Sequence, residues 1–136
     1  PNTREELMIN SMTKKSLYDG SIVVSNKNIK RPILGISDLS QAVKTIIDNP
    51  IPGIFNLASF IDTVENISLG VGNMLNSKAQ ETLNTSGAYD FMMDTTKFKE
   101  SYNFTFNASI DSIVQELIDN FEKTKFSDRN RFINYD

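Results

Sequence analysis

The side chains able to do chemistry in this sequence are few. It holds no histidine and no cysteine, which removes imidazole general bases, thiolate nucleophiles and the commonest ligands of zinc. Serine–histidine and cysteine–histidine catalysis are therefore excluded. No G-x-G-x-x-G follows a strand-like run and no G-x-x-x-x-G-K is present, so the chain has no dinucleotide or ATP cradle of its own. The carboxylate pairs Glu5–Glu6 and Asp111–Glu116 fall on outward faces of predicted helices, where charges are ordinarily just solvated. Arginine remains, at Arg4, Arg31, Arg129 and Arg131. Arg31 stands directly before Pro32 at the start of a β-like run. From a sheet edge its guanidinium fork has two uses, a two-toothed grip on a diphosphate or a surface ion pair, and spacing alone favours the ion pair. No catalytic residue and no metal ligand is assigned.

These side chains need a frame. A chain of 136 residues is the size of one domain and buries enough surface for one core. With 39% apolar and 23% charged residues it has the composition of a globular protein, and no run approaches the roughly 20 apolar residues that cross a bilayer. A membrane is not an expected partner. The net charge of −3 and pI near 5.0 offer no general field for a polyanion, so nucleic acid is not expected either. A chain without cysteine or a secretion signal is placed in the cytoplasm. Pro1 in place of a Met, with helical periodicity beginning almost at once, reads as a piece of something longer.

Hydrophobic spacing gives the elements. Residues 4–19 read as a helix, acidic in its first turn, ended by Gly20, with a thin apolar face of Leu7, Met8, Ser11, Met12 and Lys15. Residues 21–25 and 31–36 read as strands. Ser37 or Asp38 then caps a helix with Leu39, Ala42, Val43, Ile46 and Ile47 on one face, ended by Pro50 and Pro52. A buried strand is expected at 53–58. Asp62 or Thr63 caps a helix whose Val64, Ile67, Val71, Met74 and Leu75 share a face, and Gly70 and Gly72 in it point to close packing. Segments near 80–85 and 90–93 read as strands, and Asp94–Lys97 opens a short helix ending near Tyr102. Ser109 caps a helix with Ile110, Ile113, Val114, Leu117, Ile118 and Phe121 on one face. The fold class is α/β, an α+β-like small domain with a short mixed sheet and about four packed helices. Residues 1–124 form the domain and 125–136 a polar tail.

Several segments resemble, in order and spacing, the extended short-chain dehydrogenases/reductases that act as nucleotide-sugar epimerases and dehydratases. Arg31-Pro32-Ile33-Leu34-Gly35-Ile36-Ser37-Asp38-Leu39 resembles the family's R-P-F-I-H-V-x-D-h. Arg4-Glu5-Glu6-Leu7-Met8-Ile9-Asn10 is similar to R-x-D-L-V-x-N, and Phe55-Asn56-Leu57-Ala58-Ser59 to Y-N-V-G-S. Met93–Lys97 resembles V-D-x-x-K, and the stretch from Phe104 to Leu117 resembles G-F-x-P-x-x-S-h-x-x-G-h-x-x-h. The series is specific where no single piece is. It implies the C-terminal lid over a nucleotide sugar, with the Rossmann half and its Tyr-x-x-x-Lys pair absent from this sequence.

By that resemblance Arg31 grips the diphosphate of a UDP-, dTDP-, GDP- or CDP-sugar. Arg4, Glu6 and Asn10 stand where sugar and diphosphate pass the first helix, and Val23 and Ser25 lie where relatives hold the nucleobase. Asp38 is expected to cap its helix. NAD(P) is implied for the full enzyme and is not bound by this chain alone, and the implied partner is a Rossmann domain in cis or trans. The sequence also departs from the pattern. Glu6 replaces an Asp, Ile33 an aromatic residue, and where relatives often have a second diphosphate arginine there are Asn84-Thr85-Ser86 and Ala88-Tyr89-Asp90. That weakened arginine set leaves a second reading open, a non-catalytic nucleotide-binding or protein-interaction module.

Overall fold

In the computed structural model, which describes residue 4, residues 6–82 and residues 89–120, the chain runs α1 (Met8–Asp19), β1 (Ser21–Val24), β2 (Lys30–Ile33), α2 (Ile36–Asp48), β3 (Phe60–Thr63), α3 (Val64–Leu75), β4 (Lys78–Glu81), α4 (Thr96–Tyr102) and α5 (Ile110–Asp119). The expected strand end at 83–85, Phe121 and the tail lie outside the described residues. β1 pairs in parallel with β4, Ser21 opposite Lys78 and Val24 opposite Glu81. A parallel pair needs a long crossover, here everything from β2 to α3. β2 pairs antiparallel with β3, Lys30 opposite Thr63 and Ile33 opposite Phe60. The α/β class with short strands of both senses is as expected, with five helices among the described residues in place of about four.

The core lies where α1, α3 and α5 meet β1. Ile9 and Met12 of α1, Ile22 and Val24 of β1, Val64, Ile67 and Val71 of α3 and Val114 of α5 are buried together. Alternation along β1 sends Ile22 and Val24 inward and leaves Val23 exposed, as the period of a strand requires. α3 follows β3 without a linker because the Thr63 hydroxyl accepts the Asn66 amide at 3.1 Å, a side-chain cap that satisfies an otherwise orphaned donor. Asp62 supports it, accepting from the Thr63 amide and the Asn66 side chain, each at 2.7 Å. The two glycines of α3 are sites of close approach. A Cβ on Gly70 would come within 2.8 Å of Ile110 on α5, and one on Gly72 within 2.7 Å of the Ser77 carbonyl. α5 opens on a reciprocal pair, Ser109 Oγ accepting from the Ser112 amide and Ser112 Oγ from the Ser109 amide.

Three expectations need correction. α1 starts at Met8, after Arg4 and Glu6, so its first turn holds no acid. It buries Ile9, Met12, Thr13 and Ser16 and leaves Leu7 and Lys15 exposed. The buried stripe is rotated onto the small hydroxyl side chains Thr13 and Ser16, and Ser16 bonds Ser77 just past the end of α3. β2 ends at Ile33, and α2 begins at Ile36 after Gly35 with no side-chain cap, so neither Ser37 nor Asp38 is its N-cap. Gly35 could bear no side chain, since a Cβ there would collide with that of Ala108. Residues 53–58 pair with no strand, nor do 90–93, while β3 forms one step later, at Phe60–Thr63. The apolar face of α2 is where the spacing put it, and the helix buries only Asp38 and Ala42, with Val43 and Ile47 exposed.

Candidate functional site

Arg31 sits on β2 opposite Asp62 of β3. Its guanidinium Nη1 donates to the carbonyl of Lys30 at 3.0 Å and to that of Tyr89. The segment bearing Tyr89 lies along the free edge of β2. The Lys30 amide donates to Asp90 Oδ1 at 2.6 Å, and the Phe91 amide donates to the Lys30 carbonyl at 3.3 Å. Successive residues of an antiparallel strand turn their backbone groups to opposite sides. Lys30 thus faces Asp90–Phe91 while the Ile29 carbonyl takes the Val64 amide on the other side. The Tyr89 side chain stands clear at 85% exposure. Lys30, Arg31, Asp62 and Asp90 make the local formal charge of this edge zero.

Arg4, Glu6 and Asn10 are gathered at the entry to α1. Arg4 Nε meets Glu6 Oε1 at 2.6 Å, and Asn10 Nδ2 donates to the Arg4 carbonyl at 2.9 Å. Glu6 is held below the usual carboxylate range by its own backbone amide and by Arg4. All the partners are exposed or half-exposed, so this pair adds little to stability. Val23 and Ser25 occupy the end of β1 with both side chains exposed. Within the described residues no hydrogen bond joins the Arg4 group, Arg31 and the β1 pair to one another.

Asp38 does something other than cap its helix. It is 1% exposed, and its carboxylate accepts from the Ser59 hydroxyl at 2.6 Å, from the Asn107 amide at 3.0 Å and from the Ala108 amide at 2.9 Å. Ser59 Oγ in turn accepts the Gly35 amide at 3.0 Å. Burial pushes this carboxyl up, but the Ser59 hydroxyl and the two amides more than offset it and leave it below its ordinary value. The carboxylate therefore ties α2, the approach to β3 and the approach to α5 into one joint just beyond Arg31.

A nicotinamide dinucleotide is best held with its pyrophosphate on a helix N-terminus, where free amides and the helix dipole meet it. Among the described helices, the N-termini of α3, α4 and α5 are closed to that role by side chains, while α1 and α2 carry no side-chain cap. The first turn of α2 contains Asp38, the start of α3 is taken by Thr63 and Asp62, and that of α5 by Ser109 and Ser112. At α4, Asp94 accepts the Thr96 amide at 2.8 Å, and that amide and the Thr96 hydroxyl hold its carboxyl below the usual range. Among the described residues no group of three or more acidic side chains could hold a metal ion, and no helix is long and apolar enough to cross a membrane.

Tyr89, Asp90 and Ser59 were not singled out by the sequence. Ser59 lay at the end of the segment resembling Y-N-V-G-S, which was the available signal; Tyr89 and Asp90 were visible only as departures from a pattern.

What the chain shares with solved proteins is an architecture, that of part of several dehydratases, epimerases and reductases, most of them named for nucleotide-linked sugars. It is similar to dTDP-glucose 4,6-dehydratase from Bacillus anthracis, solved with NAD, at TM-score 0.73 and 16% identity, over 89% of this chain and 40% of that one. It is similar to UDP-N-acetylglucosamine 4-epimerase from Bacillus cereus at TM-score 0.68 and 20% identity, over 86% and 41%. L-threonine dehydrogenase from Phytophthora infestans matches at TM-score 0.71 and 14% identity, over 90% and 43%. At these identities the likeness is one of fold, and the chain spans about two fifths of the length of each. No family model matches the sequence, and no curated protein is similar to it by sequence.

Proposed function

We propose that this chain is the substrate-binding portion of an NAD(P)-dependent enzyme that epimerises, dehydrates or reduces a nucleotide sugar, and that it positions that sugar for hydride transfer without making or breaking bonds itself. The reading rests above all on a fold shared over 86–89% of this chain with 40–41% of two enzymes named for nucleotide sugars. Residues 1–124 are the binding unit and 125–136 a tail, and the protein works in the cytoplasm. Arg31 meets the diphosphate, Arg4, Glu6 and Asn10 the passing sugar, and Val23 and Ser25 the base. NAD(P) belongs to the Rossmann partner, since this sequence holds no glycine-rich dinucleotide cradle of its own. The contribution of such a unit to rate is orientation and exclusion of water.

A specific feature supports a missing partner. On α2, Ile36, Val43 and Ile47 project outward, Ile47 at 73% exposure, and further along the chain Ile54 is 87% exposed. From Gly53 to Ala58 none of the backbone N–H groups is hydrogen-bonded among the described residues. Exposure alternates there, with Ile54 and Asn56 out and Phe55 and Leu57 half-buried. This is the pattern of a strand whose sheet is elsewhere, and an unpaired strand and an exposed apolar face are both templates for association. The same feature favours the second reading, a protein-interaction module, if the partner is not a dinucleotide domain.

Two expected results test these assignments. Titrated by NMR with UDP-N-acetylglucosamine, the 136-residue chain should bind in the millimolar range, and Arg31→Ala should weaken binding roughly ten- to a hundredfold, the worth of a charge-assisted contact. An unchanged affinity in Arg31→Ala would sink the diphosphate role. In a polypeptide that includes the dinucleotide-binding half, Ile47→Lys with Ile54→Lys should cut NAD-dependent turnover and lower the melting temperature. In the chain alone the same pair should shift stability by no more than about 0.5 kcal/mol per site, as exposed positions do. Equal effects in both contexts would remove this face from the interface.

A further inference from the structure

We infer that Asp90 sets which anions the Arg31 edge accepts, by anchoring a carboxylate at Lys30, next to Arg31, and a competing carbonyl on the guanidinium. This rests on the reading of Arg31 as the anion-binding group. The segment Tyr89–Phe91 is fixed to β2 at three points: the Lys30 amide on Asp90, the Phe91 amide on the Lys30 carbonyl, and the Arg31 guanidinium on the Tyr89 carbonyl. The first, at 2.6 Å, sets the Asp90 carboxylate on a backbone amide of the strand itself. Asp90 thus anchors the segment, and the anchor determines where the Tyr89 carbonyl lies.

Two consequences follow for a ligand. It must displace the Tyr89 carbonyl from Nη1 or bind through the rest of the fork. It also meets the Asp90 charge one peptide away from that carbonyl, well within the ~8–10 Å over which salt screens charges. Together with Asp62 opposite Arg31, Asp90 cancels the positive field of Lys30 and Arg31. With that field cancelled, each added negative charge on the ligand gains from Arg31 and Lys30 about what it loses to the two carboxylates, so the edge gives a diphosphate little advantage over a singly charged group. It tolerates a singly charged group better than a bare diphosphate would suggest. The Tyr89 ring is free to lie against a flat ligand group without changing this balance.

The test is a titration series on the 136-residue chain with uridine, UMP and UDP, followed by NMR. Asp90→Asn keeps an oxygen for the Lys30 amide and removes the charge; Asp90→Glu keeps the charge and disturbs the anchor. If the inference holds, Asp90→Asn tightens UDP about tenfold and UMP about threefold and leaves uridine unchanged, a graded gain expected of removing one unit charge at partly screened range. Asp90→Glu shows no such gain, and Arg31→Ala combined with Asp90→Asn loses it. Weaker or unchanged UDP binding in Asp90→Asn overturns the inference, as does an equal gain for uridine, which would mean that loosening the segment, and not charge, is responsible. Failure of the Arg31 reading is distinguishable: Arg31→Ala would then leave UDP affinity unchanged with Asp90 intact. A melting curve for each variant separates misfolding from these outcomes.

Discussion

Asp38→Ala is expected to lower the stability of this chain by about 3 kcal/mol, the usual loss when one member of a buried charged network is removed. For a domain of this size that is roughly a 10 °C fall in melting temperature. The cost is not the loss of a favourable contact alone. Removing the carboxylate leaves the Asn107 and Ala108 amides and the Ser59 hydroxyl without the acceptor they share, and buried donors without acceptors cost about 1–3 kcal/mol each. Asp38→Asn keeps one acceptor oxygen and should lose less than half as much. A double-mutant cycle with Ser59→Ala should give a coupling of about 1 kcal/mol, as for residues of one network.

The same carboxylate predicts a pH dependence. Its folded-state value lies below that of the unfolded chain, so its stabilisation is fully present above the unfolded value near pH 4 and is lost as pH falls through the folded one. Denaturant melts from pH 6 down to about pH 2 should therefore show falling stability at the acid end, with a shallower fall in Asp38→Asn. Equal slopes in the two proteins would mean that other carboxylates govern the acid limb.

What the sequence disclosed followed from how far apart the cause and the effect lie. Ser109 and Thr63 were legible as caps because their partners, Ser112 and Asn66, lie three residues away. α5 and α3 were legible because their buried faces repeat at helical spacing. α1 was misread in the same terms: Thr13 and Ser16 are buried and Leu7 is not, and hydroxyl side chains on a tight helix contact carry no hydrophobic signal. The apolar stripe of α2 was read correctly as a stripe, but periodicity reports that a face is apolar, not what covers it. The expected strand at 53–58 failed for the same reason, since a strand exists only with a neighbour. Asp38 was assigned to its own helix because its real donors sit 69 and 70 positions along the chain. At the site, Arg31 stood out by type and by the Pro after it, whereas the groups that face it, Tyr89 and Asp90, are 58 or more residues away and belong to no pattern.

The second joint of the structure is aromatic, and Phe98→Ala should be the most damaging substitution in the chain, at about 3–5 kcal/mol. Phe98 is fully buried, with ring centroids of Tyr102 at 4.8 Å, Phe104 at 5.1 Å, Phe55 at 5.8 Å and Phe106 at 6.0 Å. The spacing of Phe98 and Tyr102 puts them on one face of α4, and that of Phe104 and Phe106 turns both the same way if the segment is extended. The pairs with Phe55 and Phe104 are edge-on, and such pairs add about 0.5–1.5 kcal/mol each beyond burial. The cluster also secures the unpaired 53–58 segment, since Phe55 inserts into it, the Lys97 ammonium bonds the Ile54 carbonyl at 3.0 Å, and the Tyr102 hydroxyl accepts the Ile51 amide at 3.2 Å. Phe98→Ala should therefore act unevenly. Amide hydrogen exchange at Ile51 and along α4 should accelerate at denaturant concentrations where the amides of α3 and β1, which belong to the other core, remain protected. Phe98→Leu, which keeps most of the volume, should lose less than half as much. Uniform acceleration across both regions would show that the two cores unfold as one, and the face offered to a partner would then be no more independent than the rest of the domain.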